Sequence, residues 1–337
     1  MDSVLVIGGG ITGIQASLDL ARLGLTVVLL EKEPDLGGKL NQLSTLFPGG
    51  ESAGELLQSK RNQMNDHGNI EIKTLAEIER VEGKPTTCKI ALKGETTIIE
   101  ASAVVLATGF DPFDPTPIEE YGYGRIKNVI TALELESMLK QETVGRPSDG
   151  GNPKQITFLQ CVGSRDQKTN RYCSSFCCTY AVKEALALKK RNPQADVRIM
   201  YMDIRTPYLY EHLYTEAREQ GIRFIRSRVA GVSEKDGTLD LDIENTVTGE
   251  TETLSSELVV LSIGGIPSAS TGPLADHFKI PLSDQGFFKL EDRPVGSPLD
   301  GVFIAGTAGG LKDIQSCLAE ASASALCVAR FLRERRS

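Results

Sequence analysis

The sequence predicts an α/β protein built on parallel sheets and divided into two domains. Three observations carry this. The chain opens on an apolar strand, an amphipathic helix and a second apolar strand, the βαβ order that makes strands run parallel. A new strand–helix series starts at Gln155–Gln160 (QITFLQ), just past the Gly- and Pro-rich stretch Gly145–Pro153, which reads as a linker. The tail then returns to the opening style, with a buried strand closing on glycine (GVFIAG, Gly301–Gly306) before a long Ala-rich helix. A chain of 337 residues has room for two such units.

The elements follow in order. Ser3–Ile7 is a Val/Ile-rich run, Thr12–Leu23 spaces Ile14, Leu18, Leu20 and Ala21 as a helix does, and Thr26–Leu30 is the second buried strand. Gly54–His67 reads as an amphipathic helix stopped near Gly68, and Glu71–Thr97 as short strands turning at Glu82-Gly83 and Lys93-Gly94. Ala103–Ala107 is another buried strand. Beyond the linker the pattern gives a helix over Ser174–Arg191, a strand Val197–Met202, a helix Tyr208–Gln220 and a strand Arg223–Arg226. A hairpin within Leu239–Val260 leads to the strand Leu258–Ile263, and Asp313–Arg335 forms the last helix.

Composition excludes some functions. The chain is 40% hydrophobic and 24% charged with a net charge of −8, which argues against non-specific binding to nucleic acid or anionic lipid. No apolar run approaches the roughly 20 residues of a membrane span, and no leader pattern opens the chain. A cytoplasmic protein that is not integral to the membrane is expected, with its thiols reduced.

Gly8-Gly9-Gly10-Ile11-Thr12-Gly13 is a GxGxxG between a strand and a helix. The first glycine permits a tight turn, Gly10 lets backbone approach a pyrophosphate, and Gly13 lets helix and strand pack closely. The helix start then faces phosphate with unpaired N–H groups and the positive end of its dipole. Glu31 closes the second strand, where an acid accepts from ribose hydroxyls and repels a 2′-phosphate. A glycine-rich turn beside a surface Glu would give the same letters, but not in this strand–turn–helix–strand context.

Further signals follow in a fixed order: Lys32 and then Gly37-Gly38-Lys39-Leu40 after Glu31, Ala107-Thr108-Gly109 at a strand end, and GVFIAG near the C-terminus. Together they resemble the two-dinucleotide-binding-domain flavoproteins of the glutathione reductase and thioredoxin reductase type. The resemblance implies two Rossmann-like domains, an FAD domain made of residues 1–145 and 263–337, and an inserted domain over 150–262. It implies that the first glycine motif, the Glu31–Leu40 segment, Ala107–Gly109 and the late Gly306 turn line FAD. The family's Asp after the late Ala-Gly is here Thr307, a hydroxyl that bonds a ribityl oxygen without charge. Lys312, Asp313 and Ile314 would approach the flavin and favour its anionic reduced form. Ile78 stands where such folds contact adenine.

The inserted domain should carry a second glycine motif after Gln155–Gln160. It carries Cys161-Val162-Gly163-Ser164-Arg165 instead, and one glycine does not provide the close backbone approach that a pyrophosphate needs. No pyridine nucleotide is expected there. The family's redox-active disulfide is also missing in its usual form, since no Cys-x-x-Cys occurs and no Cys-x4-Cys lies near the N-terminus. His67, His212 and His277 carry no motif and read as surface or packing residues.

Four of the seven cysteines fall in LQCVGSRDQKTNRYCSSFCCTY: Cys161, Cys173, Cys177 and Cys178. Three readings compete. Four thiolates are the standard ligand count of a [4Fe–4S] cluster; Ser174 would cap the following helix, placing Cys177 and Cys178 in its first turn, where the dipole favours thiolate. Arg165, Lys168 and Arg171 would offset the cluster's charge. Zinc suits Cys173 and Cys177, but adjacent helical side chains diverge by about 100°. Redox thiols or a vicinal disulfide is the third.

QCVGSRD…YCSSFCCTYAVKEAL, MDIRTPY…YTEAREQGIRFIRSRV and GTAGGLKDI together resemble the A-type component of heterodisulfide reductase over almost the full chain. That resemblance implies a [4Fe–4S] cluster on Cys161, Cys173, Cys177 and Cys178 beside FAD. It also implies an electron-transfer subunit working with B- and C-like subunits in thiol–disulfide metabolism, and a homodimer or a pair of A-type subunits. The chain lacks the ferredoxin modules of the methanogen proteins and is similar to the short form of heterodisulfide-reductase-like complexes in sulfur oxidisers; a similar short form accompanies the quinone-interacting complex of sulfate reducers. Two alternatives stay open: a stand-alone FAD-dependent NAD(P)H or disulfide oxidoreductase, and a non-catalytic assembly subunit that retains FAD.

Overall fold

The computed structural model describes residues 3–141, 143–207, 210–291 and 295–336. The chain begins with β1 (Ser3–Ile7), α1 (Ile11–Arg22), β2 (Thr26–Leu30), α2 (Ala53–Asn65) and β3 (Ile70–Lys73). Three short strands follow, β4 (Ile78–Glu82), β5 (Cys88–Leu92) and β6 (Ile98–Ala101), then β7 (Ala103–Leu106) and β8 (Phe110–Pro112). Next come β9 (Val129–Thr131), α3 (Ala132–Lys140), β10 (Gln155–Val162), α4 (Cys177–Arg191), β11 (Asp196–Tyr201) and α5 (Glu211–Glu219). Strands β12 (Arg223–Lys235), β13 (Thr238–Asn245), β14 (Thr251–Ser256), β15 (Leu258–Ile263) and β16 (Gly265–Pro267) precede α6 (Thr271–Phe278), β17 (Val302–Ile304) and α7 (Ile314–Glu334).

The chain divides into two compact units. The first comprises the residues up to Asn41, Gly54–Asp111 and everything from Ile266 onward. Its five-stranded sheet has the order β17-β7-β1-β2-β3, and every neighbouring pair is parallel. Strands β17, β7, β1 and β2 are apolar on both faces because each face is covered, whereas the edge strand β3 (IEIK) has no buried residue. Ile14, Leu18, Ala321, Ala325 and Val328 of α1 and α7 pack on Val4, Val6 and Val105. On the other face Leu5, Val104 and Ile304 meet Ile90, Leu92 and Ile99 of the antiparallel sheet β4-β5-β6.

The second unit comprises Gln42–Ala53 and Pro112–Gly265. Its seven-stranded sheet runs β14-β13-β12-β11-β10-β15-β9. Strands β9 to β12 and β15 form a parallel core, to which β12, β13 and β14 add an antiparallel meander. The hairpin expected in this region is thus a three-stranded ribbon, and β12 continues well past Arg226 because its bulge at Val229/Gly231 keeps it paired to β13.

The chain enters the long stretch of the second unit at Asp111/Pro112, not near residue 145. The reason is β9, which pairs in parallel with β15 through Val129–Val259, Ile130–Val260 and Thr131–Leu261 and so brings α3 into the second unit. Thr131 caps α3, with Glu134 completing a reciprocal capping box. The segment Gln42–Ala53 also belongs to this unit although it lies between cofactor-type signals of the first. Its Ser44 donates from N and Oγ to the buried Glu136 carboxylate at 2.7 and 2.8 Å, and its Thr45 carbonyl accepts from Lys183 at 2.9 Å. Lys183 also pairs with Glu136. The expected start of α5 at Tyr208 lies outside the described residues; the helix is described from Glu211. Among the described residues no helix is long and apolar enough to cross a membrane.

Candidate functional site

In the first unit the motif residues gather at the carboxyl ends of β1, β2, β7 and β17. Gly8 leaves β1 at φ +111, and a Cβ there would lie 2.3 Å from the Ala107 carbonyl oxygen at the end of β7. A Cβ at Gly13 would lie 1.8 Å from the Gly8 carbonyl oxygen, so α1 packs on the turn only through a glycine. Gly10 differs: it is the N-cap of α1, with no side-chain cap, and a Cβ there would meet nothing within 4 Å. The turn is closed towards the protein and open at the residue meant to face a pyrophosphate.

Glu31 is buried at the end of β2 and uses its carboxylate on backbone, accepting from Gly9 N at 2.6 Å and from Glu33 N at 2.9 Å. Its first task is therefore to brace the glycine turn, and only its remaining lone pairs can accept from a ribose. Gly37 N donates to the Gly9 carbonyl at 2.7 Å, and Gly10 and Gly37 form a parallel bridge, which joins the Gly37–Leu40 segment to the turn. Leu40 is buried, Lys39 faces Asp111 at 3.8 Å and Lys32 is exposed. Thr108 Oγ1 is buried with no hydrogen-bond partner, an orphaned group that a ligand would satisfy; a Cβ on neighbouring Gly109 would meet open space. Ile78 starts β4 and packs on the second core cluster of the unit.

The late turn joins the same edge, since a Cβ at Gly306 would lie 2.3 Å from Thr12 Oγ1. Thr307 is buried behind it. Asp313 is the N-cap of α7 and accepts from Ser316 N at 2.7 Å, with Ile314 as first helical residue. Lys312 does not present a bare charge. Both oxygens of Glu320 hold its ammonium at 2.7 Å, and Glu320 Oε2 also accepts from Gly306 N at 2.9 Å. The field expected from Lys312 is thus largely cancelled by a residue that sequence reasoning missed. Glu320 lies two helical turns after Lys312, a spacing at which a facing acid could have been sought.

In the second unit β10 occupies the place that β1 holds in the first: it is central, parallel to β11 and β15, and followed by α4. Where β1 ends in glycines, β10 bulges. Its register to β15 shifts between Leu159 and Val162, and Cys161 sits at φ +63. Arg165 and Ser175 also have positive φ, at +58 and +66, so three non-glycine residues of this short segment hold a disfavoured conformation of the kind that clusters at functional sites. The helix begins at Cys177, not Ser174, with Phe176 as N-cap and no side-chain cap. Ser174 is diverted because its hydroxyl accepts from Gly265 N at 3.0 Å. Cys177 and Cys178 still open the first turn.

All four predicted cysteines come together. Cys177 Sγ lies 3.7 Å from the Ile263 carbonyl, Cys178 Sγ 3.9 Å from the Asp203 carbonyl, Ser175 N donates to Cys173 Sγ at 3.4 Å, and Arg165 Nη1 lies 3.9 Å from Cys161 Sγ. Each would feel the others' charge: Cys177 that of Cys178, Cys161 and Cys173, and Cys178 that of Cys161 and Cys173. As free thiols, Cys161, Cys177 and Cys178 are held protonated. Burial raises Cys161, pushes Cys178 up to about 11, and raises Cys177 further still, so desolvation outweighs the helix dipole expected to favour thiolate. Among the described residues no three His, Cys, Asp or Glu side chains close on one point as a single ion requires.

Of the cations expected near these thiols, Arg165 is in contact, whereas Lys168 and Arg171 are exposed. Arg165 pairs with Asp203, which also binds Arg205 at 3.1 Å. Asp203 and Arg205, from the loop after β11, were not expected from the sequence; only their place at a strand end could have pointed to them.

Comparison with known proteins now bears on this geometry. Residues 2–147 match the family model described as pyridine nucleotide-disulphide oxidoreductase. The chain is 36% identical, over 98% of its length, to an iron-sulfur A-type component of CoB–CoM heterodisulfide reductase from Methanopyrus kandleri, and 36% identical over 97% to the corresponding component from Methanocaldococcus jannaschii. It is a homologue of the heterodisulfide reductase A-type subunits. The chain spans 64% of the length of each of these two relatives. The Methanopyrus alignment runs over 424 positions against 337 residues, so that relative carries segments inside the matched span that this chain does not have. Among solved structures, the thioredoxin reductase of Lactococcus lactis superposes with a TM-score of 0.70 at 20% identity, covering 99% of this chain and 100% of that one. That of T. acidophilum gives 0.68 at 16% identity, covering 98% and 99%. These establish the two-dinucleotide-binding-domain fold.

Proposed function

We propose that this chain is a flavin- and iron–sulfur-carrying electron-transfer subunit of a heterodisulfide-reductase-like complex, with FAD on the first unit and one [4Fe–4S] cluster on Cys161, Cys173, Cys177 and Cys178 of the second. The observation that carries the proposal is the substitution at equivalent strand ends. The central strand of one unit ends in a glycine turn open at Gly10; that of the other ends in a bulge that gathers four thiols.

The first site fits a dinucleotide. Gly10 and the start of α1 offer backbone N–H groups to phosphate, Glu31 braces the turn, and the orphaned Thr108 hydroxyl gains a partner. Thr307 and the Lys312–Glu320 pair stand at the Gly306 turn. FAD, when bound, exchanges electrons in pairs or singly, which suits a chain that also holds a one-electron centre. The second site fits a cluster better than zinc, because its thiols are near neighbours without converging on one point, and a cubane offers a separate iron to each. Cys177 and Cys178 are buried, Cys161 and Cys173 half-buried, and Arg165 and Arg205 supply positive charge.

The names of the relatives, the absence of a second glycine motif and the missing redox-disulfide pattern favour a subunit that works through B- and C-like partners over a stand-alone disulfide or NAD(P)H oxidoreductase. The reading places it in a setting of the sulfur-oxidiser type, as a cytoplasmic homodimer or a pair of A-type subunits. Anaerobic purification with iron and sulfide analysis, visible spectra and EPR tests the reading. About four iron and four sulfide per chain are expected, and Cys173→Ser or Cys177→Ser should lose the iron and keep the flavin. Zinc, or no metal, overturns the cluster; bleaching of the flavin by NADH or NADPH at catalytic rates overturns the loss of the nucleotide site.

A further inference from the structure

Resting on the cluster reading above, we infer that Arg165, aimed by Asp203, is a positioning residue that sets the reduction potential of the centre held by the four cysteines.

Arg165 sits in the loop between β10 and α4 with its backbone fixed at φ +58 and its N–H donated to the Tyr172 carbonyl at 2.9 Å. Its guanidinium forks onto Asp203, with Nη1 on Oδ1 and Nη2 3.4 Å from Oδ2. That clamp leaves Nη1 also 3.9 Å from Cys161 Sγ, within reach of an N–H···S bond. Asp203 meets the thiol set from its other side too, because its backbone carbonyl lies 3.9 Å from Cys178 Sγ. One residue thus orients the cation on the first cysteine and touches the last. Arg205 completes the group, with Nε and Nη2 on Asp203 Oδ2 at 3.3 and 3.1 Å. Two cations share one carboxylate, so the group keeps a net positive charge beside the sulfurs.

The consequence follows from charge. Adding one electron to a thiolate-ligated centre adds one negative charge without making or breaking a bond. A fixed cation and a hydrogen bond to a ligand sulfur stabilise the more negative state, which raises the potential. Arg165 has both features. Its side chain is 22% exposed, so solvent screens it only partly. The geometry depends on the guanidinium fork, because a lysine would carry the charge but could not bind Asp203 bidentately while reaching Cys161.

The test is an EPR-monitored redox titration of the anaerobically purified holoprotein, poised with dithionite and ferricyanide through mediators, on wild type, Arg165→Met, Arg165→Lys and Asp203→Asn. Arg165→Met is expected to lower the midpoint by about 59 mV, a tenfold change in a one-electron equilibrium, with iron content and flavin absorption unchanged. Arg165→Lys should fall between it and wild type. Asp203→Asn keeps one acceptor oxygen to aim the guanidinium and removes the compensating charge, so it should raise the midpoint. An Arg165→Met protein with full iron and an unshifted midpoint overturns the inference and leaves the cluster reading intact; wild type without iron defeats the cluster reading itself. Should Arg165→Met lose its iron, the other two variants decide, and equal midpoints for Arg165→Lys, Asp203→Asn and wild type overturn the inference.

Discussion

Gly10→Ala and Gly13→Ala separate a glycine kept for a ligand from a glycine kept for packing. At Gly13 the added methyl would lie 1.8 Å from the Gly8 carbonyl oxygen, far inside contact distance, so α1 must move off the turn. Overpacking of this kind costs about 1–3 kcal/mol or more, and the gain of about 1 kcal/mol from Ala in a helix interior offsets only part of it. At Gly10 the backbone has φ −73, which any residue adopts, and the methyl meets nothing. Reduced freedom of the unfolded chain stabilises by roughly 0.4–1 kcal/mol, while alanine is a poorer N-cap than glycine by a similar amount; the apoprotein's stability should stay within about 0.5 kcal/mol of wild type. That methyl, however, fills the open side of the turn, and FAD affinity should fall at least tenfold, or about 1.4 kcal/mol. Urea unfolding followed by far-UV circular dichroism measures the first effect, a suitable probe for a chain without tryptophan, and quenching of flavin fluorescence on titration of apoprotein measures the second. Undiminished FAD binding by Gly10→Ala would refute the assignment of the open turn to the pyrophosphate.

Two further predictions concern the interior of the second unit. Lys183→Met leaves the Glu136 carboxylate buried with only its Ser44 donors and should cost about 3–5 kcal/mol in urea unfolding, whereas Glu136→Gln/Lys183→Met should cost much less than the sum of the single changes. Glu184 is fully buried beside Glu136 with Oε2 unpartnered, and burial first, then the Glu136 charge, holds its carboxyl well above the usual range. With the native state keeping a proton that the unfolded chain releases, stability should fall by about 1.4 kcal/mol per pH unit between the ordinary carboxylate range and the raised value. Glu184→Gln should remove that slope, and a pH series of unfolding curves that keeps the slope in the variant would count against it.

The first unit was largely legible because its signals are local. A glycine turn, an acid at the end of β2 and a strand closing on Gly306 each declare themselves within a few residues. The thiols were legible by type and spacing as well. What stayed hidden depends on tertiary pairing. Ser174 looks like a helix cap until Gly265 claims its hydroxyl, Lys312 looks like a free charge until Glu320 holds it, and β9 looks like part of a linker region until it pairs with β15 across about 130 residues of sequence. The dipole argument for Cys177 and Cys178 also failed for a tertiary reason, because burial depth is not written in a heptapeptide.

The strap formed by Gln42–Ala53 bears on how this molecule can be taken apart. Because that strap belongs to the second unit, the unit is not a single stretch of chain. A fragment cut at 112–265 would leave Glu136 without Ser44 and Lys183 without the Thr45 carbonyl, exposing a buried ion pair at the cut. A transplantable thiol module therefore has to be built from two pieces of sequence, with the early dodecapeptide grafted back or supplied as a synthetic peptide, and its recovery of fold would measure what that short excursion contributes.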